Sequence, residues 1–514
     1  METTAAPSSK RTLITNARIL TLDDEDREYA CANLLIEGQH ISTIGADVTH
    51  AAPDRVIDAR GKLAMPGLIN GHFHSPGNLM CGALTDMPLE LFMLFEVPPM
   101  LPPGQGRIGA RTAYVQTLLG AVEMLKLGIT AVHDDPYHNP EPAPEVIDAV
   151  MQAYAASGMR ATVSINHPNK IEYEKYPFLA HLLPQNVIEQ MGRTRLWTAQ
   201  EIGALYQWFH QKWHGAADGR LRIAVSNSAP QRVTHDYFGV LSDFSRSHDL
   251  PFDIHMLETK LQRVLGQEKF GKSLVQMVHD LGFLDERMLV IHAIWVDEQD
   301  MALLAASGCT VAHNPVCNLK LGSGIMPFRR LRRHGIPIAL GTDERNTDDT
   351  TNVWGTMKTA GLVHKITDPD YREWPTAHEI LRCATRGGAR GMRLDGAIGQ
   401  LAPGCQADLI LVDLDTLPFT PLNDLRRQLV FCENGSSVTM TMVAGEVVVE
   451  NGKILTVDEA ALKAEVRALA SETVGTLQAT EAAARELEPY YRAMVARAAA
   501  VDVGMQRWAG PMTP

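Results

Sequence analysis

Short apolar runs alternate with longer amphipathic segments over the middle of the chain, residues 65–393. The apolar runs have the length of buried strands, and the longer segments repeat apolar residues at helical spacing. Predicted strands are 63–74, 129–134, 160–165, 221–226, 251–256, 288–292, 310–313 and 336–343. Predicted helices are 112–127, 144–157, 199–214, 233–247, 274–281, 297–306 and 328–334. Strands joined by crossover helices in this number predict an α/β protein with a (β/α)8 TIM barrel carrying insertions.

A doubly wound open sheet is the alternative for such a pattern. That fold often carries a Gly-x-Gly-x-x-Gly turn after its first strand. No such turn follows the first predicted strand here, so the barrel is preferred.

Runs typical of short strands flank the barrel on both sides. They lie at 13–22, 33–38 and 40–45 near one end, and at 407–413 and 438–449 near the other, with a turn at Ala444-Gly445. The two groups predict one small composite β-sandwich domain built from both chain ends. The predicted domains are therefore 1–64, the N-terminal half of the β-domain, 65–394, the barrel, 395–455, the C-terminal half, and 456–514, a helical tail.

Two insertions follow predicted barrel strands, at 89–100 after the first and at about 167–200 after the third. Both would lie at the C-terminal rim, where barrel active sites are built. Their apolar and aromatic residues predict either a lid over a site or packing against neighbouring helices or a second subunit. The Ala- and Glu-rich tail is predicted to pack on the barrel or across a dimer.

Composition and charge narrow the class of protein. Hydrophobic residues make up 45% of the 514 residues and charged residues 21%, as in ordinary globular proteins. The net charge of −13 argues against nucleic acid or an anionic membrane as a partner. The 7 cysteines are scattered, and no apolar run is long enough for a membrane span, so a cytoplasmic protein is expected.

The first predicted strand ends in His72-Phe73-His74. Side chains at i and i+2 leave a strand on the same side, so both imidazoles can face one point. An isolated pair of this kind also fits a histidine that caps a loop next to a histidine that packs in the core. The ends of the other strands therefore decide whether this is half of a metal site.

Polar residues follow three further predicted strands at the same rim. The fifth ends with His255 and Glu258, the sixth with His292, and the eighth with Asp343. Several imidazoles and a carboxylate at one rim predict a catalytic site for a divalent metal ion, with a position open for water.

Six segments together resemble the amidohydrolase superfamily, in the branch of the cytosine, guanine and adenosylhomocysteine deaminases and the triazine hydrolases. They are PGLINGHFH at 66–74, GITAV at 128–132, HMLET at 255–259, AHNPVCNLKLGSG at 312–324, LGTD at 340–343 and GQLAPGCQADL at 399–409. They occur in the family's order along most of the chain.

The resemblance implies one Zn²⁺, or Fe²⁺, held by His72, His74, His255 and Asp343. Asp343 would also accept a proton from the reacting water, Glu258 would shuttle protons, and His292 would orient water or substrate. Related barrels that hold two metals use a lysine on the fourth strand. The run 221–228 has no lysine, which favours a single ion.

The sequence departs from the family in two places. Glu344 stands where the usual residue after the aspartate is glycine, and Met80-Cys81-Gly82 stands where many relatives have Leu-Arg-Gly. The missing arginine weakens the case for a nucleoside or adenosylhomocysteine substrate. The apolar and acidic loops favour a neutral or cationic substrate with hydrophobic bulk.

Three functions are considered. The first is hydrolytic deamination of an N-heterocyclic small molecule, an aminopyrimidine, purine or triazine. The second is hydrolysis of an amide, urea, carbamate or halide group at a similar carbon. The third is a non-catalytic scaffold barrel. A small-molecule substrate and a homo-oligomer, a dimer or tetramer, are expected. His313 is predicted to be structural, and His133, His138 and His167 to lie near the rim.

Overall fold

The computed structural model describes residues 10–50, 52–84, 87–100, 108–138 and 140–510, and for 473–477 the backbone alone. In this part of the chain the strands are β1 (Arg11–Leu20), β2 (Glu28–Glu37), β3 (His40–Gly45), β4 (Arg55–Asp58), β5 (Lys62–Pro66), β6 (Leu68–His74), β7 (Ile129–Asp134), β8 (Arg160–Val163), β9 (Leu221–Ile223), β10 (Val225–Ser226), β11 (Phe252–Met256), β12 (Met288–His292), β13 (Thr310–His313), β14 (Ile338–Leu340), β15 (Asp343–Glu344), β16 (Leu409–Asp413), β17 (Val438–Val443), β18 (Glu446–Glu450) and β19 (Lys453–Ile454).

The α-helices of the same part are α1 (Leu89–Glu96), α2 (Ala110–Lys126), α3 (Pro144–Ser157), α4 (Leu179–Leu182), α5 (Gln185–Met191), α6 (Ala199–Trp213), α7 (His235–His248), α8 (Lys260–Phe270), α9 (Leu274–Asp280), α10 (Glu298–Ser307), α11 (Pro315–Lys320), α12 (Phe328–Arg333), α13 (Arg345–Asp348), α14 (Val353–Val363), α15 (Ala377–Arg382), α16 (Gly388–Gly391), α17 (Leu425–Phe431) and α18 (Glu459–Ala500). Short 3-10 helices lie at Ser75–Leu79, Glu172–Glu174, Pro230–Arg232, His364–Ile366, Tyr371–Glu373 and Leu417–Phe419, and a π-helical turn at Cys383–Gly387. The predicted helices match α2, α3, α6, α7, α9, α10 and α12 to within about two residues at each end. Among the described helices that the prediction missed, α8 and α14 are the longest.

The barrel strands form two parallel five-stranded sheets, in the orders β10-β11-β12-β13-β14 and β15-β6-β7-β8-β9. Ala224 alone separates β9 from β10, and Gly341 and Thr342 separate β14 from β15. The strand positions therefore follow one another in chain order and return to β6. The predicted TIM barrel fold is confirmed.

Both chain ends combine in a separate nine-stranded, mainly antiparallel sheet, in the order β19-β18-β17-β16-β5-β1-β2-β3, with β4 beside β1. Alternate residues of its strands point to opposite faces. Leu409 and Leu411 join the sheet's own core, whereas Ile410 and Val412 join the main core shared with the barrel. This arrangement confirms the prediction of a composite β-domain from both ends.

The apolar run 63–74 was predicted as one strand, and this prediction was wrong. Its first part is β5 of the composite sheet, and its second part is β6 of the barrel. The change of sheet occurs at Pro66-Gly67, where a Cβ on Gly67 would lie 2.2 Å from the Thr130 side chain. Glycine is required there because the two sheets approach each other too closely for any side chain.

An ion pair links the barrel to the composite sheet. Arg160 in β8 donates from Nε and Nη2 to the two carboxylate oxygens of Asp408, at 2.6 and 3.0 Å. Both residues are buried, and Asp408 also accepts from the backbone N–H of Ala444. The pair therefore fixes the sheet against the N-terminal part of barrel strand β8.

We expect Arg160→Met to lower the free energy of unfolding by about 3–5 kcal/mol, because it leaves a buried carboxylate without its cation. Urea unfolding followed by circular dichroism measures this. Arg372→Met, which removes an exposed ion pair with Asp370, is the control and should cost about 0–1 kcal/mol. Equal stability of the two variants would show that the buried pair does not hold the domains together.

The C-terminal helix α18 packs on α1, α2, α4 and α8. Its Tyr491 hydroxyl donates to Glu172 Oε1 at 3.2 Å, and Arg497 lies over the Phe178 ring at 4.0 Å. The tail thus covers both rim insertions, in agreement with its predicted packing on the barrel. Among the described residues, no helix combines the length and the apolar character that crossing a membrane requires.

Candidate metal centre and catalytic site

The structure brings all six predicted site residues together at the C-terminal rim of the barrel. His72 and His74 end β6, His255 lies in β11, His292 ends β12, Asp343 begins β15, and Glu258 follows β11 by two residues. All six are buried. Parallel barrel strands end at the same rim, and this accounts for the convergence of residues that lie far apart in sequence.

Three imidazoles and one carboxylate face a common point. The Nε2 atoms of His72 and His74 lie 3.6 and 3.5 Å from Asp343 Oδ1. The Nε2 atoms of His74 and His255 lie 3.3 Å apart. Two nitrogens that bind one tetrahedral zinc ion at about 2.0–2.1 Å have nearly this separation. The donor set therefore fits a divalent metal ion.

Backbone carbonyl groups orient two of these imidazoles. Nδ1–H of His74 donates to the carbonyl of Asp135 at 2.5 Å, and Nδ1–H of His255 donates to the carbonyl of Ser228 at 2.8 Å. Each bond leaves the Nε2 lone pair free to face the common point, as metal-binding histidines require. Both ring nitrogens of His72 are buried without a hydrogen-bond partner. Burial, followed by the neighbouring His74 and His255, holds the pKa of His72 well below its usual value, so the ring is neutral.

Glu258 and His292 lie side by side next to this donor set. Nε2 of His292 is 3.4 Å from Glu258 Oε2 and 3.6 Å from Asp343 Oδ2. Nδ1–H of His292 donates to Asn318 Oδ1 at 3.0 Å, and burial lowers the pKa of His292 to about 4. Burial and the negative charge of Asp343 raise the pKa of Glu258 well above its usual value. Glu258 can therefore carry a proton at neutral pH, as a proton shuttle must.

The backbone at two of these positions is strained. His292 and Asp343 have φ angles of 75° and 63°, in the left-handed region that non-glycine residues rarely adopt. The link between β14 and β15 also approaches β6 closely, because a Cβ on Gly341 would lie 2.7 Å from the carbonyl oxygen of His72. Such strain persists where the surrounding structure imposes it, and it is frequent at active sites.

A cavity of about 260 Å³ opens above the metal donors. Both rim insertions line it: α1 contributes Leu89, Phe92, Met93 and Glu96, and the segment 167–200 contributes several residues including Tyr176 and Leu196. Side chains of α1 give the cavity an apolar wall, and charged and polar groups, among them Lys170, Arg195 and Arg232, line other parts of it.

The remaining rim histidines have different environments. His133 is bound to Asp253 inside the barrel, with Nε2 2.9 Å from Oδ1. His138 and His167 line the cavity. His313 faces His364, with their Nε2 atoms 3.0 Å apart, and burial lowers the pKa of both rings, that of His364 to about 3. His313 therefore contacts a neutral imidazole rather than the metal donors.

Several residues of the site were not identified from the sequence. Ser323 donates from Oγ to Glu258 Oε1 at 3.4 Å, and Arg232 lines the cavity beside His255 and Glu258. Tyr137, which also lines the cavity, follows the end of β7 by three residues, so strand-end position was an available signal for it. For Arg232 no comparable signal exists, because its place depends on how the loop after β10 folds.

The family model of the amidohydrolases matches residues 63–448. The 5'-deoxyadenosine deaminase of Methanosarcina barkeri is 29% identical over 467 residues, covering 91% of this chain and 99% of that protein. The 5-methylthioadenosine/S-adenosylhomocysteine deaminase of Thermococcus kodakarensis is 30% identical over 443 residues, covering 85% of this chain and 93% of that protein.

Among solved structures, an atrazine chlorohydrolase of Arthrobacter aurescens with bound zinc superposes with a TM-score of 0.79. It is 24% identical, and the match covers 89% of this chain and 100% of that one. At this level of identity the likeness concerns the fold alone.

Proposed function

We propose that this chain, which belongs to the amidohydrolase family and is a hydrolase of carbon–nitrogen bonds, deaminates an N-heterocyclic small molecule by hydrolysis. The observation that carries the proposal is the placement of Glu258 and His292 beside the four proposed metal donors, at the floor of one cavity. Aminopurines are the first candidates, since both curated relatives are named for adenosine derivatives.

We propose that His72, His74, His255 and Asp343 hold one divalent ion, most simply zinc. When bound, such an ion supplies a Lewis acid that lowers the pKa of water toward about 7. The fit rests on the neutral, unpartnered ring of His72 and on the oriented Nε2 atoms of His74 and His255.

In the proposed reaction Asp343 accepts a proton from the attacking water as the new carbon–oxygen bond forms. Glu258 gives its proton to the ring nitrogen next to that carbon, receives the proton that Asp343 took from the water, and delivers that proton to the leaving amine. The proton of the newly added hydroxyl group finally returns to Glu258, which restores both carboxyl groups. The carbon–nitrogen bond then breaks and ammonia leaves. His292 orients the water through Nε2, since its Nδ1–H is occupied by Asn318.

An assay panel tests this function directly. Metal-loaded protein is incubated with 5'-deoxyadenosine, 5'-methylthioadenosine, S-adenosylhomocysteine, cytosine, guanine and melamine, and with atrazine as the halide-bearing alternative. We expect release of ammonia from at least one amino-heterocycle. Release of chloride without ammonia would show that the protein hydrolyses a halide group instead of deaminating its substrate. Release of neither product, from protein with one metal ion per chain, would support the non-catalytic scaffold.

Three further proposals go with this function. The protein works as a homo-oligomer, it is cytoplasmic, and its domains are those predicted from the sequence, except that the first boundary moves from residue 64 to Pro66-Gly67. The packing of both chain ends into one sheet supports the domain division. The seven cysteines are free, and this supports a reducing compartment such as the cytoplasm. Light scattering of the metal-loaded protein tests the oligomeric state.

A further inference from the structure

Two glutamates line the cavity beside the metal donors, and neither belongs to the machinery described above. Glu96 ends α1, and Glu344 follows Asp343 in β15, where it pairs with the metal donor His74 across the sheet. Glu96 is 9% exposed and Glu344 4%. We call these two residues the acidic pair.

The acidic pair has too few hydrogen-bond donors around it. Glu96 Oε1 accepts from Asn346 Nδ2 at 2.5 Å. Tyr137 lies within hydrogen-bond reach of both carboxyl groups, but its single hydroxyl proton can serve only one of them at a time. Glu96 Oε2 and Glu344 Oε1 are buried without a partner. The two carboxyl groups also lie within hydrogen-bond reach of each other, so a proton held by one can be donated to the other. Four carboxyl oxygens thus share at most three donors.

Charge is not balanced at the acidic pair either. Within the described residues, no lysine or arginine forms an ion pair with Glu96 or Glu344. The basic residues that line the cavity follow other strands: Lys170, Lys175 and Arg195 come after β8, and Arg232 comes after β10. Buried carboxyl groups without donors or cations cost free energy, so a ligand that supplies both would be bound strongly.

The walls around the acidic pair strengthen such an interaction. Phe92, Met93 and Cys317 line the same cavity. Apolar walls exclude water, and an ion pair in a low-dielectric site is stronger than in solvent. A neutral hydroxyl group would supply one donor and no charge, whereas a primary ammonium group supplies three donors and one positive charge.

We propose that the acidic pair binds a positively charged amino group that the substrate carries in addition to its heterocycle. This inference rests on the proposed function, since it names a property of the molecule deaminated at the same site. The substrate class is thereby narrowed to cationic amino-heterocycles, in which the ammonium lies against Glu96 and Glu344 and the apolar part lies against α1.

Binding to inactive holoenzyme tests the inference separately from turnover. Zinc-loaded Glu258→Gln protein is titrated in a calorimeter with aminopurines and aminotriazines that carry an aminomethyl, aminoethyl or aminopropyl substituent. Each is compared with its hydroxyalkyl counterpart. For at least one tether length we expect the ammonium compound to bind about 10- to 100-fold more tightly, the range of a charge-assisted hydrogen bond.

The same titrations are then repeated after Glu96→Gln or Glu344→Gln is introduced into the Glu258→Gln protein. Each should reduce the preference for the ammonium compound to about threefold or less. Glu298→Gln, which removes an exposed carboxylate on α10, is the matched control and should preserve it. Melting temperatures give an independent readout. Loss of a buried carboxyl group that has an unpartnered oxygen and no cation should leave the melting temperature unchanged or raise it, whereas a merely structural role would lower it.

The outcomes separate the two proposals. Equal affinities within every matched pair, no binding of any ammonium compound, or a preference that survives both substitutions would overturn the inference. Failure of the wild-type protein to release ammonia from any compound, with the ammonium preference intact, would instead reject deamination and leave the binding site standing.

Discussion

Replacement of Glu258 by glutamine is expected to lower kcat about 10³-fold while one metal ion per chain remains bound. Glutamine fills the same volume but cannot give a proton to a ring nitrogen and take another for the leaving amine, and such proton transfers are worth about 10²- to 10⁴-fold. Glu258 is not among the four proposed metal donors. Steady-state ammonia release and elemental analysis of the same preparation measure the two quantities.

Glu258→Asp tests whether turnover needs the carboxyl group of Glu258 or only a side chain of its size. Aspartate keeps a carboxyl group, so it should recover part of the lost kcat, whereas a residue needed only for packing should be restored better by the isosteric glutamine. The proton shuttle would be refuted by wild-type kcat in Glu258→Gln, or by metal loss that accounts for its inactivity.

The sequence was sufficient to predict which side chains converge at the floor of the cavity, because this convergence follows from local spacing and strand ends. His72 and His74 are two residues apart on one strand, and His255, His292 and Asp343 lie at or just after the ends of others. A parallel barrel brings such positions to one rim whatever the intervening loops do. That rule does not require any knowledge of side-chain packing.

The cavity walls could not be predicted in the same way. The positions of Glu96, Tyr137 and Arg232 depend on how the rim loops pack against each other and against α18. Glu344 was identified only as a departure from the family, and its contact with Glu96 joins segments 248 residues apart by their numbering. The boundary at Pro66-Gly67 was missed for a related reason: both sides of it are apolar, and only tertiary structure assigns them to different sheets.

His255→Ala is expected to abolish both turnover and stoichiometric metal binding. It removes one of three converging imidazoles, and even the loss of an outer hydrogen-bond partner of a metal ligand typically costs 10- to 100-fold in metal affinity. Elemental analysis after dialysis against a weak chelator measures the metal. Thermal unfolding with added zinc gives a second readout, since a ligand at a hundred times its Kd stabilises the native state by about 2.7 kcal/mol.

His313→Ala is the matched control for that loss, because His313 is also a buried histidine at the end of a barrel strand. Its Nε2 faces His364 rather than the metal donors. Its removal should lower stability, by leaving His364 without that partner, while one metal ion per chain stays bound and zinc still raises the melting temperature. If both alanine variants lose metal, loss of folding rather than of a ligand explains the result. If His255→Ala keeps a full complement of metal, the ion is not held where His72, His74, His255 and Asp343 converge, and the proposed chemistry fails with it.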